Sequence, residues 1–263
     1  MMSDLALIIF IKVPIPGLVK TRLSQTTCLT DTDVSLLAEA MFKDTLVVAS
    51  ESNSEVIEIG FFPKIELPRI KKIVDEVRTD ENLVIPINYS VQTGVNFDER
   101  FSSIVSNSLQ NKNDSIVILG ADLPYLHKST INTAFQFLRA NPNKKRVVLG
   151  PAGGGGVYLV GLTNKFLPNW FVEYEIFSGG VEISQFVKLC GKENFEIDML
   201  PPLTDIDIEE DLVSLLAFID TKDVVKQYSG FYFPKYTAQV VKTLGLYIKD
   251  LPGETRKRKI GKR

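Results

Sequence analysis

Short apolar runs alternate with amphipathic helical patterns along residues 5–220, and this alternation constrains the fold more than any other feature of the sequence. It is typical of a mostly parallel sheet with helices on both faces. Strands are predicted at residues 5–13, 55–61, 83–89, 115–119, 146–149, 157–161 and 195–199. Helices are predicted at residues 34–48, 69–78, 98–109, 129–139, 181–190 and 208–218. We therefore expect an α/β protein with a three-layer α/β/α, Rossmann-like, mostly parallel sheet.

The chain of 263 residues is long enough for one large domain or one domain with an appendage. We divide it into a main domain at residues 1–220, an aromatic and helical appendage at 221–253, and a basic tail at 254–263 that we expect to be disordered. The tail holds six basic residues and one acidic residue, so the rest of the chain carries 24 basic and 31 acidic residues. Residues 1–253, with this excess of acidic side chains, are unsuited to binding the phosphates of nucleic acid. The tail is then either a solvated terminus or a handle for an anionic surface.

Cysteine usage and hydropathy favour a cytoplasmic protein that does not enter a membrane. Cys28 and Cys190 lie far apart without clustered ligands, which favours neither a disulfide framework nor a zinc site. The apolar run at residues 5–11 is far shorter than the roughly 20 residues of a membrane helix. The aromatic residues after Asp220 either seal a homodimer or cover the edge of the sheet.

The loop after the first predicted strand combines flexibility with positive charge. Gly17 allows a ligand to approach the backbone, and Lys20 and Arg22 place cations on either side of Thr21, a combination suited to a polyphosphate. This is not a Walker A loop, because Val19 stands where that motif has a glycine. The alternative is a surface turn with two solvated cations.

Two later loops carry carboxylates where ligands bind in such sheets. Asp122 follows a buried strand and so lies at the ligand-binding rim, although it can also be a turn or helix cap. Asp205 and Asp207 alternate around Ile206, so in an extended segment their side chains point to the same side. Capping of the next helix explains one of these carboxylates but not both.

If the three loops converge on a nucleoside triphosphate, a cation has to join them. Unit charges 4 Å apart interact by about 4 kcal/mol at an effective dielectric constant of 20, so the aspartates would repel the phosphates strongly. Mg²⁺ is usually held by one or two carboxylates together with substrate phosphates. A bound divalent cation would therefore allow the cationic loop and the two acidic loops to bind the same triphosphate.

Two glycine-containing segments are candidate sites for an acceptor. The run at residues 150–156 exposes backbone amides, but it precedes a predicted strand and so lacks the context of a dinucleotide fingerprint. Ser178 and Gly179 precede a helical pattern and can offer a hydroxyl and amides to an anion, or form an ordinary cap.

Several motifs together resemble a known family. Residues 10–23 (FIKVPIPGLVKTRL), 92–94 (QTG), 97–100 (FDER) and 120–124 (GADLP) resemble a glycosyltransferase-like family of nucleotide-diphospho-sugar transferase (GT-A) fold. The second half, from 150–156 (GPAGGGG) through 204–212 (TDIDIEEDL), looks more like the 2-phospholactate guanylyltransferases of deazaflavin coenzyme biosynthesis. Both belong to a superfamily that also includes the molybdenum-cofactor nucleotidyltransferases.

The resemblance implies a catalytic domain at residues 1–220 with roles for individual residues. Lys20, Arg22 and Asp122 would be catalytic. The nucleotide would contact Pro16, Gly17, Lys20, Thr21, Arg22 and Gly94. The acceptor would contact Gly154, Gly155, Gly156, Ser178 and Gly179, and Mg²⁺ would be held by Asp122, Asp205 and Asp207. The glycosyltransferase-like relatives usually have an acid where this chain has Gly154, a departure that favours the guanylyltransferase-like interpretation.

The expected reaction is Mg²⁺-dependent transfer of a nucleoside monophosphate, GMP from GTP, to a small phosphorylated acid such as 2-phospholactate or phosphoenolpyruvate, with release of pyrophosphate. One alternative is glycosyl transfer from a nucleotide sugar. Another is a nucleotide-binding protein without turnover. The sequence leaves open the base, the acceptor and the oligomeric state.

Overall fold

The computed structural model describes residues 5–111, 113–141, 144–250, 253 and 258–263. Its strands are β1 (Leu5–Lys12), β2 (Val56–Phe62), β3 (Ile87–Val91), β4 (Ser115–Gly120), β5 (Arg146–Pro151), β6 (Val157–Thr163), β7 (Glu196–Met199), β8 (Leu246–Asp250) and β9 (Arg258–Lys262). Its helices are α1 (Thr21–Thr26), α2 (Asp31–Ser50), α3 (Leu67–Glu81), α4 (Phe97–Gln110), α5 (Lys128–Arg139), α6 (Trp170–Glu173), α7 (Glu182–Glu193), α8 (Glu209–Ile219) and α9 (Lys235–Thr243).

Seven strands form one sheet in the order β3-β2-β1-β4-β6-β5-β7. Strand β6 runs antiparallel to both of its neighbours, and the other adjacent pairs are parallel. The predicted mostly parallel α/β fold is therefore confirmed. Because β2 and β4 lie on opposite sides of β1, the chain changes direction across the sheet at β1, and the loops after β1 and β4 leave the sheet side by side.

Apolar layers cover both faces of the sheet, which explains why its strands are near-continuous hydrophobic runs. One layer packs Leu7 and Ile9 of β1 against α2, α3 and α5. The other packs Ile8 against α4, α6 and α7. All three β1 side chains are fully buried. The sheet is thus packed between helices on both faces, and the loops at the ends of its strands form its rim.

Two boundaries differ from the sequence prediction for local reasons. Strand β3 begins at Ile87 rather than at residue 83, because Pro86 has no N–H to donate and only its carbonyl pairs, with the N–H of Ile57. Helix α1 occupies part of the segment predicted as a phosphate loop. Six residues are too few for a helical periodicity to emerge.

The C-terminal segment is folded where the structure describes it. Strands β8 and β9 pair as an antiparallel hairpin, so the expectation of a disordered tail is wrong for residues 258–262. Residues 254–257 lie outside the described residues. The dense charge of the tail gives no apolar pattern that would predict a strand, yet Ile260 is buried in an apolar cluster and Lys262 pairs with Asp33.

Helix α9 is attached to α2 through one buried carboxylate. Asp44 has no exposed surface and accepts hydrogen bonds from the backbone N–H of Tyr236 (3.1 Å) and from both the N–H (2.8 Å) and the hydroxyl (2.7 Å) of Thr237. Burial raises the pKa of Asp44 to about 6. The carboxylate satisfies donors at the first turn of α9 that have no partner within the helix.

Asp44→Ala is expected to loosen α9 because both Thr237 donors lose their partner. A buried donor left unpaired costs about 1–3 kcal/mol, so the free energy of unfolding should fall by about 2–4 kcal/mol. Urea denaturation at pH 7.5, above the pKa of about 6, measures the change. Asp75→Ala, at an exposed position of α3, is the control and should alter stability by less than about 0.5 kcal/mol. Equal losses in the two variants would contradict the assignment.

Candidate active site

A cavity of about 610 Å³ opens at the carboxyl ends of β1 and β4, where ligands bind in open α/β sheets. It brings together segments that are far apart in the sequence. The predicted site residues that line it are Lys20, Thr21, Arg22, Asp122, Gly154, Gly156, Asp205 and Asp207. The cationic loop and both acidic loops therefore face a single cavity.

Lys20 joins the two acidic loops directly. Its Nζ donates to Oδ2 of Asp122 at 2.5 Å and to Oδ1 of Asp207 at 2.6 Å. Only 9% of its side chain is exposed. Burial acts to lower the pKa of Lys20, but the charges and hydrogen bonds of the two aspartates outweigh it and raise the pKa above its ordinary value. The ammonium group is therefore charged at neutral pH.

The backbone of Lys20 is in the left-handed region, with φ 49° and ψ 34°, immediately before α1. A non-glycine residue there is disfavoured by about 1–2 kcal/mol, so the surrounding structure has to hold it. Leu23, three residues later, is fully buried and anchors α1 in the core. Strain at a residue that also bridges two loops is typical of functional positions.

The three aspartates form a compact acidic triad. One oxygen of each of Asp122, Asp205 and Asp207 lies within 4.8 Å of the others. Burial, followed by the charges of Asp122 and Asp207, raises the pKa of Asp205 to about 6. Burial also acts to raise the pKa of Asp207, but the attraction and hydrogen bond of Lys20 outweigh it, and that pKa is lowered. The triad thus carries more negative charge than Lys20 alone balances.

The acidic loop reaches the triad by crossing the end of the sheet. From β7 it runs past β5, where the N–H of Leu203 donates to the carbonyl of Pro151, and then to β4, where the N–H of Ile206 donates to the carbonyl of Asp122 at 3.4 Å. Ile206 is fully buried between the two aspartates. Its burial turns both carboxylates towards the cavity, as the alternation in the sequence predicts.

Helix α8 is capped by a carboxylate outside the triad, that of Asp211. Asp211 Oδ2 accepts hydrogen bonds from the backbone N–H groups of Asp207 (3.0 Å) and Ile208 (2.9 Å). Asp211 therefore satisfies the start of the helix in the way a capping-box residue does. The side chain of Asp207 is not needed as a cap and faces the cavity instead.

The donor set of the triad fits a hard divalent cation. Mg²⁺ and ions like it prefer carboxylate oxygens and are commonly held by a few of them together with phosphates. The three oxygens within 4.8 Å supply such a set, and their repulsion is only partly balanced by Lys20. Asp122, Asp205 and Asp207 are therefore the residues that would hold the ion.

Two further cations line the same cavity. Arg22 is 74% exposed, and its guanidinium lies 3.9 Å from Asp207 Oδ2, so it stands at the mouth with donors available to a ligand. Lys12, the last residue of β1, also lines the cavity. Sequence analysis missed Lys12, although its place at the end of the first strand was a signal.

Other predicted contacts lie away from the cavity wall. Pro16, Gly17, Gly94, Gly155, Ser178 and Gly179 are not among its lining residues. The hydroxyl of Ser178 donates to Oδ2 of the buried Asp98 at 2.6 Å, and the N–H of Phe177 donates to Oδ1 at 2.8 Å. This hydroxyl fastens the segment before α7 to α4.

Glycines outside the cavity have structural reasons to be glycine. Gly94 has φ 134°, and a Cβ there would lie 2.4 Å from Cβ of Glu99, so the turn into α4 requires glycine. A Cβ on Gly155 would lie 2.4 Å from a methyl group of Val181. Gly154, with φ 66°, does line the cavity and leaves it open on that side.

Aromatic side chains and a carboxylate that sequence analysis missed also line the cavity. Phe97 packs between Phe10 and Phe177, with ring centroids 5.2 and 4.7 Å apart. Glu182, the first residue of α7, also lines the cavity, and its Oε2 lies 3.8 Å from where a Cβ of Gly156 would be. No pattern in the sequence singled out Glu182, because an acid at the start of a helix is common.

Known proteins resemble this chain in two ways: a sequence family matches part of it, and solved structures share its fold. A family model described as "Uncharacterized protein conserved in bacteria (DUF2064)" matches residues 71–178. This stretch contains Asp122 and the glycine-rich turn, but neither Lys20 nor the acidic loop. No curated protein sequence matches the chain.

Solved structures share the architecture over most of the chain. A candidate nucleotide-diphospho-sugar transferase from Desulfovibrio desulfuricans G20 is 23% identical with a TM-score of 0.71, over 92% of this chain and 95% of that one. A 4-diphosphocytidyl-2C-methyl-D-erythritol synthase from Anaerococcus prevotii is 11% identical with a TM-score of 0.56, over 83% and 96%. A cytidylyltransferase from Leptospira borgpetersenii is 12% identical with a TM-score of 0.51, over 92% and 94%. These likenesses confirm the nucleotide-diphospho-sugar transferase fold.

The described helices also bear on membrane insertion. None of those in the described ranges has both the length and the apolar character needed to cross a bilayer.

Lys20→Met is expected to strengthen the binding of a divalent cation in the absence of nucleotide. The ammonium competes for Asp122 and Asp207, and its removal leaves the three carboxylates with only the exposed Arg22, 3.9 Å from Asp207, as a near counter-charge. Allowing for solvent screening of interactions of about 4 kcal/mol, we expect at least about tenfold tighter binding. Titration with Mn²⁺ followed by electron paramagnetic resonance measures it.

Arg22→Met is the matched control for this titration. Its guanidinium is mostly exposed and more distant from the triad, so the affinity for Mn²⁺ should change by less than about threefold. An unchanged affinity in Lys20→Met would show that the triad is not a cation site.

Proposed function

We propose that the protein is a nucleotidyltransferase that depends on a divalent cation. It transfers a nucleoside monophosphate from a nucleoside triphosphate to a small phosphorylated acceptor and releases pyrophosphate. One observation carries the proposal: Lys20 bonds to Asp122 and Asp207 within one cavity, so a phosphate-binding cation and an acidic triad share one site. The shared fold with a diphosphocytidyl-methylerythritol synthase and a cytidylyltransferase supports it.

The reaction needs positioning and charge stabilisation rather than a protein nucleophile. An oxygen of the acceptor phosphate attacks the α-phosphorus, the bond from the α-phosphorus to the oxygen that bridges to the β-phosphorus breaks, and pyrophosphate leaves with that oxygen. The acceptor phosphate is already anionic at neutral pH, so no base is required. Lys20 and Arg22 would bind the phosphates and stabilise the charge that develops on them.

A bound divalent cation would neutralise the repulsion between the phosphates and the acidic triad. Asp122, Asp205 and Asp207 would hold it, and Mg²⁺ is the ion we propose. Lys20 already contacts two of these aspartates. In the complex it would turn at least one of its donors to a phosphate oxygen.

GTP as donor and 2-phospholactate or phosphoenolpyruvate as acceptor are the specific substrates of this proposal. Gly154 and Gly156 line the cavity without side chains and so leave space for a small acceptor beside the triphosphate. The sequence resemblance to the guanylyltransferases is the reason for choosing the guanine nucleotide.

Glycosyl transfer from a nucleotide sugar is the second candidate, and Glu182 is the observation that favours it. A hydroxyl acceptor has to lose a proton as it attacks the anomeric carbon and the nucleoside diphosphate leaves. Glu182 places a carboxylate at the glycine-rich wall, where it can take that proton. Glu182 of α7 thus places a carboxylate near the position where the glycosyltransferase-like relatives usually have an acid and this chain has Gly154.

Two parallel assays separate the candidate functions. The protein is incubated with each of the four common nucleoside triphosphates, Mg²⁺ and either acceptor, and pyrophosphate is measured. Pyrophosphate release that needs both substrates supports nucleotidyl transfer. In a parallel incubation nucleotide sugars replace the triphosphates, and release of nucleoside diphosphate there indicates glycosyl transfer instead. Saturable nucleotide binding without either product indicates a binding protein.

Asp122→Asn is expected to lower turnover by at least about 100-fold, because the triad loses a charged ligand that acts on the reacting phosphates. The mutation keeps the volume of the side chain, so thermal unfolding should change little. Asp75→Asn, on the exposed face of α3, is the control and should remain fully active. Near-normal activity of Asp122→Asn would remove Asp122 from the catalytic site.

Glu182→Gln tests which acceptor chemistry the cavity uses. Transfer to a phosphate acceptor needs no base, so its rate should stay within about threefold, whereas transfer to a hydroxyl acceptor should fall by about 100-fold or more. Rates with matched phosphorylated and unphosphorylated acceptors measure the difference. A large loss with the phosphorylated acceptor would contradict the leading mechanism.

A further inference from the structure

An apolar cluster behind the cavity is shared by the cationic loop, the acidic loop and the C-terminal hairpin. Leu23 follows Lys20 by three residues, Ile206 separates Asp205 from Asp207, and both belong to this cluster. Its other buried members are Leu29, Val34, Leu37, Met41, Leu212, Leu215, Leu216, Val241 and Ile260. A side chain of β9 is thus packed into the core that supports both halves of the site.

The backbone of Ile260 bonds to both sides of this support. Its N–H donates to Oε1 of Glu209 at 2.9 Å, and its carbonyl accepts from Sγ of Cys28 at 3.3 Å. Glu209 begins α8, two residues after Asp207. Cys28 lies in the turn between α1 and α2, close behind Lys20 and Arg22 in the chain. One residue of β9 therefore links the cationic segment to the acidic segment.

Lys262 adds a third attachment. Its Nζ donates to both carboxylate oxygens of Asp33, at 2.8 and 2.7 Å. Asp33 is buried and forms the capping box at the start of α2 with Thr30. Residues two apart in a strand point to the same face, so Ile260 and Lys262 approach the site from the same side.

We propose that β9 is a positioning element that holds Lys20 in register with the acidic triad, and that Lys262 is a positioning residue for the site. This inference rests on the proposed function of the cavity. Among the described residues, the polar links from residues 20–33 to Asp207 and the start of α8 run either through β9 or through Lys20 and Arg22 themselves. When a ligand engages Lys20 and Arg22, the links through β9 are the polar ones that remain beside the apolar cluster.

The charges of β9 fit this role better than that of a handle for an anionic surface. Arg258 pairs with Asp250, Lys259 lies 3.9 Å from Glu209, and Lys262 pairs with Asp33. Three positive side chains of the hairpin thus lie near acids of the same chain, and that of Lys262 is engaged by a buried carboxylate.

The test uses Lys262→Met in the full chain, with Lys262→Arg as the conservative rescue. Lys249→Met, at an exposed position of β8, is the matched control. For each protein we would measure the affinity for Mn²⁺ alone, the affinity for GTP with Mn²⁺, the kcat and KM for pyrophosphate release, and the midpoint of thermal unfolding.

Misplacing a binding group by about 1 Å can cost as much as about 100-fold in rate. We expect Lys262→Met to lower kcat by about 10-fold to 100-fold and to weaken binding of GTP with Mn²⁺, because Lys20 no longer meets the phosphates in register. Lys262→Arg should restore both through its two donors, and Lys249→Met should match the wild type. Lys262→Gln replaces Lys262→Met if the latter does not fold.

Normal affinities and normal kcat in a folded Lys262→Met would overturn the proposal, as would equal losses in Lys249→Met. The binding measurements separate this failure from failure of the proposed function. A wild-type protein that binds GTP with Mn²⁺ but releases no pyrophosphate would refute nucleotidyl transfer, while the comparison of affinities would still decide the role of β9. A wild-type protein that binds neither Mn²⁺ nor GTP would overturn both.

Discussion

The ammonium group of Lys20, held between Asp122 and Asp207, is the interaction on which the site depends. The side chain of Lys20 is almost fully buried, so its charge depends on compensation by the two aspartates, whose side chains are only partly exposed. Lys20 therefore fixes how closely the cationic segment and the acidic triad approach each other. Its left-handed backbone, the buried Leu23 and the buried Ile206 all hold the same arrangement from outside the cavity.

Sheet topology explains why residues 102 and 187 positions apart in the chain can meet. Strands β1 and β4 are parallel neighbours, so the Lys20 segment and Asp122 leave the sheet at the same edge. The acidic loop starts at β7, the last strand in the sheet order, and has to cross the ends of β5 and β6 to reach Asp122 after β4. Its backbone bonds to Pro151 and Asp122 guide that crossing.

Much of the fold could be predicted from sequence because each central strand is covered on both faces and therefore reads as an uninterrupted apolar run. The acidic loop could be predicted for a similar reason, because burial of Ile206 between Asp205 and Asp207 leaves a period-two pattern in the sequence. Lys20 and Asp122 were identified by their places after strands. In each case a local pattern and a tertiary position coincide.

The remainder depended on contacts that leave no local pattern. Ser178 has the composition of an anion site, but its hydroxyl is used by Asp98 of a distant helix. Glu182 resembles any acid at the start of a helix, and only the packing of α7 places it at the cavity. The basic tail has the composition of a solvated segment, while Ile260 and Lys262 are bound by partners more than 200 residues earlier in the chain.

The ammonium group of Lys20 also acts as a built-in counter-ion that an incoming cation can replace, as in ion exchange. Before any ligand enters, part of the cavity's fixed negative charge is already balanced by a tethered cation that cannot diffuse away. An incoming metal–nucleotide complex would thus trade one counter-ion for another rather than create new separated charges. The same exchange would release the ammonium group of Lys20 to bind the phosphates. Binding of the metal and binding of the nucleotide would then occur in one step.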